Sequence, residues 1–218
     1  MDVFAMPAHA RWRHALGAMR RLLRDPYDTQ QVFELATNLN VGAIRRRMPE
    51  FYASPDGERL FRERRTIDSR HVDLEALARL PEGTLGREYV RFLRERDFTP
   101  DLFQPPDNVR DPRASYLMQR MRQTHDLWHL LTGHPTTPNG EVALQAFTYG
   151  QVGAPSALVI ALGGALRGAL AHPSLLRQVW RAYRAGQRAA PLAVVLWEEL
   201  WQVPLTELRQ RLRVTAVA

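Results

Sequence analysis

Apolar residues recur along most of this chain at three- and four-residue intervals, the period of an α-helix with one buried side. In the first such stretch, 11–24, Arg13, Leu16, Met19, Arg20 and Leu23 fall at amphipathic-helix spacing. The pattern predicts further short helices over 28–38, 41–48, 56–64 and 73–80, with Asp28 and Thr29 able to cap the second and Pro49 ending the third. Thr84 reads as the cap of a stronger helix, TLGREYVRFLRERD, with Leu85, Tyr89, Phe92 and Leu93 on one side. A proline-bearing connector, TPDLFQPPDNVRDP, follows. Residues 98–112 are thus a candidate internal boundary, but a loop within one domain spanning 1–218 is the preferred reading, since the next helix starts directly after it.

That helix is expected to run from Arg113 to about Thr132, with Gly133 as its left-handed cap. Asn139 should cap GEVALQAFTYGQVG, and APSALVIALGGALRGALA, 174–189, 190–202 and a last helix opened by Pro204 complete the chain. No strand and no internal repeat emerges. The expected fold is all-α, a single compact multi-helix domain.

Residues 142–166 carry no charge. Gln145, Gln151 and Pro155 interrupt them, and the purely apolar part falls short of the roughly 20 residues that a membrane span needs. Two readings stand: a helix buried in the core, or the wall of an apolar tunnel or membrane-resting surface. Gly163, Gly164 and Gly168 would leave room there for a chain-like ligand or a close helix neighbour.

Composition narrows the chemistry. With 218 residues, 45% of them hydrophobic, one large core is affordable. Cysteine is absent, which removes disulfides, zinc–thiolate sites, iron–sulfur clusters and thiol nucleophiles. Lysine is absent too, so Schiff-base chemistry and the usual phosphate-binding loop are excluded. A net charge of +7 favours anionic partners. Arg45–Arg47 and the group Arg62, Arg64 and Arg65 read as solvated helix faces, and no nucleic-acid-binding module is visible. An anionic membrane surface is therefore expected as a partner, and nucleic acid is not. The first 24 residues are arginine-rich, as in a mitochondrial transit peptide, but their helical spacing and direct run into Asp25-Pro26 favour a first structural helix.

The stretch HDLWHLLTGHPTTPNGE at 125–141 concentrates the candidate chemistry. At about 100° per residue, His129 lies roughly 40° and Asp126 roughly 100° from His125, so the three share one arc of an otherwise apolar helix. Leaving such groups unpaired in a core would cost several kcal/mol. Histidines at i and i+4 can hold one ion. Glu141, beyond a connector at 133–140, would return a carboxylate from an antiparallel helix and complete a metal-bearing hairpin. Zinc is the default ion, with iron or cobalt as alternatives that nitrogen and oxygen donors also suit. Asp126 reads as a ligand or as a group beside a metal-bound water. His134, past the helix end, is a further candidate ligand. The alternative is a hydrogen-bonded core histidine pair with a salt bridge.

The pattern His125-Asp126-x-x-His129, eleven residues, then Glu141 resembles the signature of the ubiquinone (coenzyme Q) biosynthesis protein 4 family. LPEGTLGREYVRFL at 80–93, RMRQTHDLWHLLTG at 120–133 and LWEELW near the C-terminus are similar to that family as well, and the resemblance spans about 15–213. It implies an all-helical protein that binds a divalent metal, commonly zinc, and acts on a polyprenylated ring lipid. The family is associated with loss of the ring carboxyl group, hydroxylation at the same carbon, and organisation of other ubiquinone-biosynthesis proteins. His125, Asp126, His129 and Glu141 carry over as its metal and catalytic residues. Arg122 would hold the substrate carboxylate or, the preferred reading, pair with Asp126. The expected location is peripheral on a membrane, the bacterial cytoplasmic face or, in a eukaryote, the mitochondrial inner membrane. A homo-oligomer is left open. The competing class is a non-catalytic lipid-binding scaffold with a structural metal. A peptidase is disfavoured, because aspartate is one methylene shorter than the zinc-protease glutamate. A histidine–aspartate phosphohydrolase lacks a clear second set of ligands.

Overall fold

Helix starts along the chain are set by side chains that accept the first free backbone N–H groups. Asp28 accepts from Gln31 N, Ser54 from Gly57 N, Asp73 from Ala76 N, Asp111 from Arg113 N and Ala114 N, and Thr137 from Gly140 N. In the computed structural model, which describes residues 2–25 and 28–217, these caps open several of twelve α-helices. Pro26, part of the expected end of the first helix, lies outside the described residues. The helices are α1 (Ala8–Arg24), α2 (Thr29–Leu39), α3 (Val41–Ala53), α4 (Pro55–Arg62), α5 (Leu74–Ala78) and α6 (Leu85–Arg96), then α7 (Pro112–Gln123), α8 (His125–Thr132), α9 (Pro138–Val152), α10 (Pro155–Gly168), α11 (Leu175–Arg188) and α12 (Leu205–Arg211). No strand occurs among the described residues, and one isolated bridge joins Thr84 and Pro204. The all-α expectation holds.

Four local expectations need correction, each for a physical reason. Pro49 lies inside α3 instead of ending it. Its ring deprives the Arg45 carbonyl of a partner, but both residues are on the exposed side, where water can replace the lost bond. The helix expected over 113–132 breaks at Thr124 into α7 and α8. Thr124 donates its hydroxyl to Arg120 O at 3.0 Å, the i−4 back-bond that bends helices. Asn139 lies inside α9, whose cap is Thr137. The 190–202 segment forms two 3₁₀ turns, Leu192–Val194 and Trp197–Glu199. There, Leu192 N donates to Gln151 Oε1 and Ala190 N to Leu212 O, so tertiary acceptors replace the helical ones.

The largest cluster of buried side chains surrounds α8. Leu127, Trp128 and Leu131 are buried together with Tyr89 of α6, Leu144 and Phe147 of α9, and Trp197. Burying each such side chain contributes about 1.5–3 kcal/mol, so α8 is held against the core on three sides. α9 packs mainly on α10 and α11 and meets α8 less extensively. The two site-bearing helices therefore meet over a short stretch, and most of the packing of α9 lies on α10 and α11. α1 and α2 pack on each other, and α2 also packs on α10. The connector 98–112 returns to the core through buried Phe103 and Val109.

Candidate metal centre

The corner between α8 and α9 is built by glycines and caps. Gly133 ends α8 in the left-handed conformation at φ 75°, and a Cβ there would come within 2.9 Å of Val217 O. Val217 N in turn donates to Thr132 O, tying the C-terminal segment to the end of α8. The connector is 133–137, shorter than expected, because α9 already begins at Pro138. Gly140 is needed for close approach, since a Cβ would lie 2.0 Å from Pro135 O. The result sets Glu141 in the first turn of α9, where the positive end of the helix dipole favours a carboxylate.

Three expected residues converge. His129 Nε2 lies 3.0 Å from Glu141 Oε1 and His125 Nε2 lies 3.4 Å from Glu141 Oε2. One donor atom from each of the three falls within 4.8 Å of the others. The His129 ring is fixed from two sides: Nδ1 donates to the His134 carbonyl at 2.8 Å, and Phe92 stacks on it with centroids 5.9 Å apart. That hydrogen bond places a proton on Nδ1 and leaves Nε2 as the atom that faces Glu141. His134 thus takes part through its backbone oxygen, while its own buried imidazole lies outside the cluster.

Electrostatics at the corner are strongly coupled. Burial opposes ionisation of Glu141, but the two imidazoles outweigh it and hold the carboxyl well below the usual carboxylate range. Burial likewise pulls His125 down, and Glu141 outweighs it, with help from Asp126, to leave the imidazole raised. Burial pushes the Asp126 carboxyl up, Glu141 adds to this, and the two histidines and Arg96 only partly offset it. Burial and the nearby His129 bring the His134 imidazole down to about 4. Asp126 is buried and does not join the three-residue cluster.

All four expected residues, His125, Asp126, His129 and Glu141, line one cavity of about 1450 Å³. That exceeds the roughly 300–1,000 Å³ of sites for drug-sized ligands. Much of its wall is apolar, including Leu22, Phe33, Phe51, Ile160 and Val194. The charge-free stretch resolves into both of its readings. Ala143, Leu144 and Phe147 are core, while Val142, Val159 and Gly163 line the cavity.

Arg122 corrects an expectation. It does not pair with Asp126: its guanidinium donates to Thr37 Oγ1 at 3.0 Å and to Gln104 O at 3.3 Å, and lies 4.5 Å from the Phe33 ring centre. It lines the same cavity, and burial lowers its pKa with only Asp107 acting in the other direction. No ion pair to a carboxylate holds it among the described residues. Helical spacing had placed Arg122 one turn before Asp126, but its guanidinium reaches Thr37 of α2 and Gln104 of the 98–112 connector instead. Phe92, Thr37 and Phe33, which shape the site, were not legible as site residues, because single apolar and hydroxyl side chains on distant helices carry no motif.

The donor set fits a divalent ion of the zinc, iron or cobalt type: two imidazole nitrogens and a carboxylate, one imidazole already oriented by a carbonyl. Fold and site together define an all-helical protein with a metal-type histidine–carboxylate corner on the wall of a large apolar cavity. The crystal structure of a protein from Nostoc punctiforme designated for ubiquinone biosynthesis is similar over 92% of this chain and 96% of that one, with a TM-score of 0.73 and 30% identity. The mitochondrial ubiquinone biosynthesis protein COQ4 homolog of Danio rerio is 36% identical over 92% of this chain and 74% of its own length. The human protein of that name is 33% identical over 93% and 77%. The profile described as coenzyme Q (ubiquinone) biosynthesis protein Coq4 matches residues 4–218, and the chain belongs to that family.

Proposed function

We propose that this protein removes the carboxyl group from a polyprenylated hydroxybenzoate in ubiquinone biosynthesis, with a hydroxyl taking its place and a divalent ion, zinc by default, as cofactor. The observation that carries this reading is the position of His125, His129 and Glu141 on the wall of a large apolar cavity, where a head group and an isoprenoid tail can enter together. A structural ion in a scaffold would have no need of that opening.

His125 Nε2, His129 Nε2 and Glu141 would hold the ion. When bound, it supplies Lewis acidity that stabilises negative charge on the ring oxygen as the carboxyl group leaves. Arg122 is a cation on the cavity wall that could take the substrate carboxylate, and the Phe33 and Thr37 contacts hold it in place. The apolar wall takes the tail and excludes water. In the overall step the ring–carboxyl bond breaks and carbon dioxide departs. The ring, dioxygen and water then give the hydroxylated ring and hydrogen peroxide. Asp126, raised by burial, sits beside the cluster as a proton-handling group. The protein would work at a membrane surface with other ubiquinone-biosynthesis proteins, since its substrate and product are lipids.

The test supplies a prenylated carboxylated ring, dioxygen and metal-reconstituted protein, and follows carbon dioxide and product mass. Wild type should form both, and Glu141→Ala should form neither while staying folded. No product from metallated wild type across several ions and tail lengths would move the protein to the scaffold class. Equal rates for wild type and Glu141→Ala would remove that carboxylate from the site.

A further inference from the structure

The surface above the metal corner combines three features. First, large apolar side chains stand in solvent on α10 and its neighbours. Leu166 is 71% and Leu170 96% exposed, and Leu162, Leu23 of α1 and Leu176 of α11 are exposed as well. Leu162, Leu166 and Leu170 repeat every four residues, and Arg167 Nη1 reaches Leu23 O at 3.5 Å, so the ends of α1 and α10 adjoin. Gly168 contacts Leu175, which places the start of α11 beside them.

Second, the charge is one-sided. α1, α10 and α11 contain ten arginines and no acidic residue, more than the chain's whole net charge of +7. Among the described residues none of the ten is ion-paired to a carboxylate, whereas Arg59, Arg65, Arg91, Arg94 and Arg211 elsewhere all are.

Third, this surface lies over the site. Gly164 packs on Val142, where a Cβ would come within 2.2 Å, and Gly168 lies near Asn139. These are the neighbours of Glu141. Leu23, Gly163, Arg167 and Gly168 themselves line the cavity. Leu162 and Leu166 thus flank, along α10, the residues Gly163 and Arg167 that line the cavity, and Leu23 belongs to both the exposed surface and the cavity wall.

We propose that the α1–α10–α11 surface docks on an anionic lipid bilayer, with Leu162, Leu166 and Leu170 inserted among the acyl chains and the arginines on the headgroups, so that a lipid can pass from the bilayer into the cavity without crossing water. The proposal takes its lipid substrate from the function proposed above, but the docking surface stands on its own observations. Among the described residues no helix is long and apolar enough to cross a membrane, and the proposed contact is interfacial. Exposed leucines with unpaired arginines are the composition such a contact needs. Trp180, 60% exposed on α11, suits the headgroup level.

The test is flotation of the full chain, without substrate, on phosphatidylcholine vesicles with and without phosphatidylglycerol. Wild type should float only with the anionic lipid and lose binding in high salt. Leu166→Asp/Leu170→Asp, which alters two solvent-facing positions, should melt like wild type and bind at least about tenfold more weakly. Arg177→Glu/Arg181→Glu should weaken binding too, and Arg62→Glu on α4 should not. Equal binding by wild type and the Leu166→Asp/Leu170→Asp variant would overturn the proposal. So would a wild-type dimer that this variant dissolves together with no vesicle binding, which would assign the surface to a second copy of the chain. Vesicle docking without turnover would sink only the enzymatic reading, and turnover of a short-tailed substrate without docking would sink only this one.

Discussion

The α8 corner and the α1–α10–α11 surface treat arginine in opposite ways. Beside α8, Arg120 is buried with its guanidinium on both oxygens of Glu198, at 2.5 and 2.9 Å, and a further bond to Val195 O. Arg209 donates to Leu130 O and Leu131 O, satisfying carbonyls at the C-terminal end of α8. By contrast, the ten arginines of α1, α10 and α11 are without carboxylate partners among the described residues and mostly in solvent. The first group fixes a helix. The second leaves its charge available to something outside the chain. Net charge alone would not separate the two roles, whereas pairing does.

This contrast can be broken at several points. The largest effect should come from Arg120→Ala, which strands the Glu198 carboxylate and should lower stability by about 3–5 kcal/mol in chemical denaturation. A loss below about 1 kcal/mol would mean that α7 is not anchored to the Trp197–Glu199 turn this way. Next, Arg122→Gln should raise KM for a carboxylated ring by about tenfold, with a smaller change in kcat, since it removes one charge-assisted bond to the substrate. Unchanged KM would assign Arg122 to structure. Tyr89→Phe should be neutral or stabilising by about 1 kcal/mol, because the buried Tyr89 hydroxyl has no hydrogen-bond partner among the described residues. Clear destabilisation would reveal a partner for it. Smallest of all, Arg181→Gln should change stability by less than about 0.5 kcal/mol, as expected for an exposed, unpaired side chain.

Much of this architecture was legible in the sequence because it rests on local rules. Gly133, Asp28 and Pro204 act as helix signals read from one or two residues, and the helix bearing His125 and His129 is fixed by its period. The three stretches that carried the family resemblance meet in space. Phe92 stacks on His129, Trp201 stacks on Tyr89 with centroids 5.6 Å apart, and Arg120 clasps Glu198. What was missed depends on contacts between distant segments. Arg122 bonds Thr37 and Gln104 in place of Asp126, and acceptors from Gln151 and Leu212 replaced a helix over 190–202. The Thr137 cap was within reach, because a proline at the first helical position, Pro138, points to the residue before it. The cavity gave almost no signal, since its wall draws apolar residues from α1, α2, α3, α9 and α10, and none is distinctive by itself.

The most direct test of the account is the metal content of purified protein, measured by mass spectrometry on wild type and on the His125→Ala/His129→Ala variant after both are shown to be folded. The convergence of two imidazoles and one carboxylate within 4.8 Å predicts about one divalent ion per chain in wild type and essentially none in the variant. A folded variant that keeps its stoichiometric metal would contradict the central claim, and the histidine–glutamate corner would then be a hydrogen-bonded core cluster.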